Sequence, residues 1–73
     1  MSKVTVLIRD IAEIHNFVHH AQQVEGDVIC TRGRFQVDGK SIMGLFSIDT
    51  ADGFIVEYPE EAIEFGEYLK TIM

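Results

Sequence analysis

Cysteine is almost absent from this 73-residue chain: Cys30 is its only one. It has no partner for an internal disulfide, and no thiolate-ligated metal site can be built on it. Basic side chains are scarce as well, 6 against 12 acidic ones, for a net charge of −6. Sequence-independent nucleic-acid binding needs a basic surface to replace phosphate counterions, so direct contact with nucleic acid is not expected. Docking on anionic lipid is disfavoured for the same reason. Long hydrophobic runs are missing too. The first apolar stretch, Val4 to Ile8, is broken by Thr5 and followed by Arg9 and Asp10, so it makes no signal-peptide core. No stretch approaches the roughly 20 apolar residues of a membrane span. A cytoplasmic protein without membrane contact is the expectation. There is no internal repeat, low-complexity tract or linker.

What is present fits a folded globule. Hydrophobic residues make up 47% and charged residues 25%, a balance that separates this chain from disordered tails. Residues 1–73 are expected to form one domain. A chain of this length buries only about 60–65% of its unfolded surface, so its stability should be modest.

Periodicity then orders the elements. Lys3 to Ile8 alternates, with Val4, Val6 and Ile8 on one face, and predicts a first strand. Asp10 and Glu13 form a D-x-x-E helix start. Ile11, Ile14, Phe17, Val18 and Ala21 follow at helical spacing, predicting a helix from Asp10 to about Val24 that Gly26 ends. Asp27 to Arg32 reads as a second strand, with Val28 and Cys30 on one side. Arg32-Gly33 is a hairpin tip and Arg34 to Val37 the returning strand. After the turn at Asp38-Gly39, Ser41 precedes Ile42, Met43, Leu45, Phe46 and Ile48, as an N-cap precedes a short helix. Asp49, Thr50, Asp52 and Gly53 end it. Phe54 to Tyr58 predicts a fourth strand. Pro59-Glu60-Glu61 opens a last helix with Ala62, Phe65, Leu69 and Ile72 on one stripe. The order β-α-β-β-α-β-α predicts an α+β fold in which one four-stranded sheet carries three helices on a single face.

In the short helix, Leu45 and Ile48 suit a core. Ile42, Met43 and Phe46 form a second apolar face, larger than anchoring so small an element requires, and are a candidate protein-docking patch. The segment Asp38-Gly-Lys-Ser-Ile-Met-Gly-Leu-Phe-Ser47 resembles the regulatory-serine region of HPr, the small phosphocarrier family of the bacterial phosphoenolpyruvate:sugar phosphotransferase system. Weaker similarity, in the order and spacing of elements, runs over nearly the whole chain. The resemblance implies an HPr-like open-faced sandwich, with the fourth strand between the first and second in an antiparallel sheet. It also implies that Ser41 is a candidate site for a regulatory serine kinase. A phosphate at a helix N-terminus meets free amides and a favourable dipole, and would bring about −1.5 to −2 charge beside the patch.

The family's chemistry is not matched. HPr proteins carry a Gly-Leu-His-Ala-Arg-Pro-Ala motif, or a near variant, at the start of the first helix. Its histidine receives a phosphoryl group from phosphoenolpyruvate by way of Enzyme I and passes it to a sugar-transport component. The corresponding segment here, Ile8 to Glu13, has no glycine, no histidine and no Arg-Pro pair, and Asp10 falls near the histidine position. No catalytic residue is carried over. His15, His19 and His20 lie within the helix, where free amides to hold a phosphate are lacking. His15 and His19 have the i, i+4 spacing of a shared metal site, but Asn16 stands where an H-E-x-x-H motif has glutamate, and no third ligand is evident. A solvated helix face without metal or cofactor is expected.

The sequence thus predicts a non-enzymatic regulatory or adaptor form of the HPr type. It would act through protein contacts at the Ser41 helix, with phosphotransferase-system components, a serine kinase or a transcriptional regulator as partners the resemblance implies. The alternatives are a phosphocarrier using a displaced histidine and an HPr-fold domain with an unrelated partner. Oligomeric state is not legible.

Overall fold

A computed structural model describes residues 1–73. Its elements run β1 (Ser2–Val6), α1 (Ile11–Gln22), β2 (Ile29–Arg32), β3 (Phe35–Asp38), α2 (Ile42–Phe46), a 3-10 turn (Thr50–Asp52), β4 (Phe54–Tyr58) and α3 (Ile63–Lys70). The four strands form one antiparallel sheet in the order β1-β4-β2-β3. The last strand therefore enters between the first and second, and the α+β open-faced sandwich is the observed architecture.

Alternation decides which side chains meet the helices. Val4 pairs with Val56, Val6 with Phe54 and Cys30 with Val56 across the sheet, and these point inward. Thr5 and Thr31 both pair with Ile55 on the open face. Phe17 of α1 is fully buried and sits at the centre of the core. Its ring lies edge-on to Phe54 of β4 and to Phe65 of α3, each at 5.7 Å between centroids. One aromatic thus joins three elements, with Leu45 of α2 and Leu69 of α3 completing the same cluster.

Several predicted boundaries shift, each for a local reason. β1 stops at Val6 because the backbone of Ile8 leaves the ladder for Thr50: the Ile8 amide donates to the Thr50 carbonyl at 2.9 Å, and the Thr50 hydroxyl donates back to the Ile8 carbonyl at 2.9 Å. α1 ends two residues early, at Gln22, with Gln23 as C-cap, and Gly26 then turns the chain at φ +103°. β2 begins at Ile29 rather than Asp27. The hairpin tip is Gly33-Arg34, one residue later than expected, because Arg32 still pairs with Phe35; β3 shifts with it to Phe35–Asp38. The largest correction is α3. Pro59, Glu60 and Glu61 do not form its first turn. The Ala62 amide donates to the Pro59 carbonyl, and Ala62 itself, at ψ 69°, is not helical, so the helix starts at Ile63 without a side-chain cap. This turn re-aims the chain so that Phe65 and Leu69 reach the core. Gly66 lies against the Tyr58 ring, where an added Cβ would stand 3.3 Å from the phenolic oxygen.

Candidate functional site

Two surfaces carry the residues singled out in the sequence: the mouth of α1 and the outer face of α2. The N-terminus of a helix normally offers free amides and the positive end of a dipole to an anion. Here Asp10 takes two of those amides, Ala12 and Glu13. Its Oδ1 accepts the Ala12 amide at 2.9 Å, and its carbonyl accepts the amides of Glu13 and Ile14 at 3.0 and 3.1 Å. A carboxylate that belongs to the chain thus sits where a bound anion would. Glu13 does not complete the reciprocal half of a capping box. It turns away instead and accepts the hydroxyl of Tyr68 from α3. Burial, and then this bond to Glu13, push the Tyr68 phenol well above its ordinary range.

The three histidines follow in later turns and are all exposed. The His15 ring lies edge-on to Phe46, 6.3 Å between centroids. His19 stands edge-on to His20 at 5.9 Å. His20 stacks flat on Tyr68, with centroids 4.0 Å apart and an interplanar angle of 16°. None lies in the first turn of α1, and no group of three or more metal-ligating side chains is present.

Ser41 is the N-cap of α2, and its hydroxyl oxygen accepts the Gly44 amide at 3.1 Å. Leu45 is buried and Ile48 half-buried, so the inward face is as read from the sequence. The outward residues are less uniform. Met43 is 76% exposed and Phe46 49%, whereas Ile42 is half-buried and packs against the core. α1 widens the surface. Ile11, at i−4 from His15, is 65% exposed and shares its helix face, so Ile11, His15, Met43 and Phe46 line a two-helix surface. The i, i+4 relation of Ile11 and His15 is visible in the sequence. The placement of α2 against that face is not, because it depends on contacts distant along the chain.

Cys30, fully buried under Gly39, is pushed up to about 12 by desolvation first and Asp38 second. It is a small core side chain here, not a reactive thiol. No helix is long and apolar enough to cross a membrane.

No protein-family model and no curated protein matches the chain. Solved structures do. HPr-C-His from Thermoanaerobacter tengcongensis is similar at a TM-score of 0.77 and 22% identity, over 97% of this chain and 93% of that one. The phosphocarrier protein HPr from Bacillus anthracis str. Ames is similar at 0.73 and 22%, over 99% and 96%. The histidine-containing phosphocarrier protein of Mycoplasma is similar at 0.75 and 17%, over 96% and 89%. Shape, strand order and near-complete coverage agree: this chain has the HPr fold.

Proposed function

We propose that this protein is a binding module related to the phosphoenolpyruvate-dependent sugar phosphotransferase system, one that transfers no phosphoryl group and is not itself an enzyme. It acts through protein contacts centred on Met43 and Phe46, with Ile42 beneath them, and Ser41 is its regulatory site. Asp10 is the degenerate counterpart of the phosphorylated histidine. Its partners are phosphotransferase components, a serine kinase or a transcriptional regulator in the bacterial cytoplasm.

The observation that carries this reading is the mouth of α1. Phosphoryl transfer through a histidine needs a neutral imidazole next to donors that hold the phosphoryl oxygens. At this mouth the Asp10 carboxylate takes the Ala12 amide and the Asp10 carbonyl that of Glu13, and the negative charge of Asp10 opposes a second anion. The neighbouring α2 supplies what a docking surface needs: exposed methionine and phenylalanine side by side, methionine being adaptable to more than one partner. A phosphate on Ser41 would place about two negative charges next to them. It would repel an apolar partner and recruit one that offers arginine or lysine.

The test uses two reactions in parallel. The protein is incubated with phosphoenolpyruvate and Enzyme I, and separately with ATP and the serine kinase, and any phosphate is located by intact and peptide mass spectrometry. A stable phosphate on Ser41 and none on histidine is the expected result. An acid-labile phosphate on His15, His19 or His20 would replace this reading with that of a working phosphocarrier. No phosphate in either reaction would leave an HPr-fold module with an unrelated partner.

A further inference from the structure

Lys40 directly precedes the cap of α2, yet its charge is spent elsewhere. Its ammonium donates to the carbonyl of Val24, just past the end of α1, at 2.7 Å in partly buried surroundings. In the opposite direction, the side-chain amide of Gln22 in the last turn of α1 donates to the carbonyl of Lys40 at 3.2 Å. The same two segments are therefore joined twice, once by each side's donor. The charge is also well placed, since the C-terminal end of a helix is negative and favours a lysine.

The segment that carries Lys40 is itself held from behind. The Lys40 amide donates to Asp38 Oδ1 at 2.9 Å, the Ser41 amide to the Asp38 carbonyl at 3.0 Å, and the Gly39 amide to the Val28 carbonyl at 2.7 Å. The segment is thus anchored to the end of β3 and to Val28, just before β2, and is not a loose loop. α2 needs such support. A five-residue helix is far below the length that is stable by its own hydrogen bonds, so its position is set by what it is tied to.

We infer that Lys40 and Gln22 form a clamp that fixes α2 against α1, so that Met43 and Phe46 of one helix and Ile11 and His15 of the other stand as a single preformed surface in the free protein. Lys40 is a positioning residue: its ammonium faces the end of α1 and acts on the surface only through α2. Ordering the surface in advance removes a cost that a partner would otherwise meet on binding. The purpose of the clamp rests on the docking reading above, while its existence can be tested with no partner present.

The test is amide hydrogen exchange, read by NMR on the full chain, for wild type, Lys40→Met, Lys40→Arg and Gln22→Ala. Lys40→Met keeps the stem and deletes the charge and donors. The clamp predicts that the Gly44 and Leu45 amides of α2 exchange about tenfold faster in Lys40→Met, beyond any change at Val56 and Cys30 in the sheet. Lys40→Arg stays within about threefold of wild type, and Gln22→Ala falls between. Equal acceleration in α2 and the sheet, no acceleration, or an arginine variant as fast as the methionine one would each overturn the inference. If Lys40→Met does not fold, Gln22→Ala carries the comparison: selective acceleration in α2 supports the clamp, and a uniform or absent effect rejects it. Because no partner enters the measurement, a failed docking reading and a failed clamp give different results.

Discussion

The hydroxyl of Tyr68, near the end of α3, donates to the carboxylate of Glu13 in the first turn of α1, across 55 positions of sequence. The bond ties the last helix to the first and removes Glu13 from the cap it would otherwise complete. It also favours the neutral phenol. Burial and the adjacent carboxylate raise the Tyr68 pKa above its ordinary value of about 10. The neutral form is the one the fold prefers, so its stabilisation is fully present below about pH 10 and is lost as pH rises toward the folded value. A tyrosinate absorbance titration should therefore show one phenol that ionises late in the native protein. Urea midpoints should be flat with respect to this group below about pH 10 and fall above it. Tyr68→Phe should remove the late phenol and cost about 1 kcal/mol at neutral pH. A variant as stable as wild type, or a native protein whose two phenols titrate together near 10, would contradict the assignment.

Replacing Ser41 by alanine removes the acceptor for the Gly44 amide and should cost about 1 kcal/mol. Ser41→Asp retains an acceptor at the cap and should recover most of that loss. Chemical denaturation measures both. The comparison matters for any functional study, because an alanine variant weakens α2 as well as abolishing a phosphorylation site. Equal stability of the alanine and wild-type chains would mean the cap contributes nothing.

Gly39 has no space for a side chain. A Cβ there would stand 2.5 Å from Val28 Cγ1 and 3.2 Å from Cys30 Sγ, both on buried residues. Gly39→Ala should destabilise the fold by about 1–3 kcal/mol through overpacking. Trimming Val28 to alanine in the same chain should recover part of that cost, so that the double variant is less impaired than the sum of the two single ones. Strict additivity would show that the clash is not the cause.

How much of this was legible beforehand follows from the range of each interaction. Strands and helices were readable because their signals are local: alternation at Val4 and Val6, helical spacing from Ile14 to Ala21, and a serine ahead of an apolar run at Ser41. The strand order follows from the resemblance, and the sheet has that order. Contacts between distant segments left no such trace. Nothing local shows that Lys40 reaches Val24, that Phe46 meets His15, or that Glu13 turns to Tyr68. The start of α3 is not legible because Pro59-Glu60-Glu61 has the composition of a helix N-terminus, while the Ala62 amide turns back to the Pro59 carbonyl and the helix begins only at Ile63. At the candidate site the cap at Ser41 was visible. The widening of the patch by Ile11, and the inward turn of Ile42, needed the packed fold.

The Asp10 carboxylate stands at the mouth of α1 on the Ala12 amide, and on the proposed reading it keeps a phosphate from being cradled there. Titration of the nitrogen-15-labelled protein with inorganic phosphate, followed at the amides of Ile11, Ala12 and Glu13, tests it most directly. The wild-type chain should show no saturable shift at these three amides, while Asp10→Gly, which frees the Ala12 donor, should gain one. A saturable shift in wild type, equal to or larger than that of the variant, would mean that the mouth holds an anion with Asp10 in place, and the account would fail there.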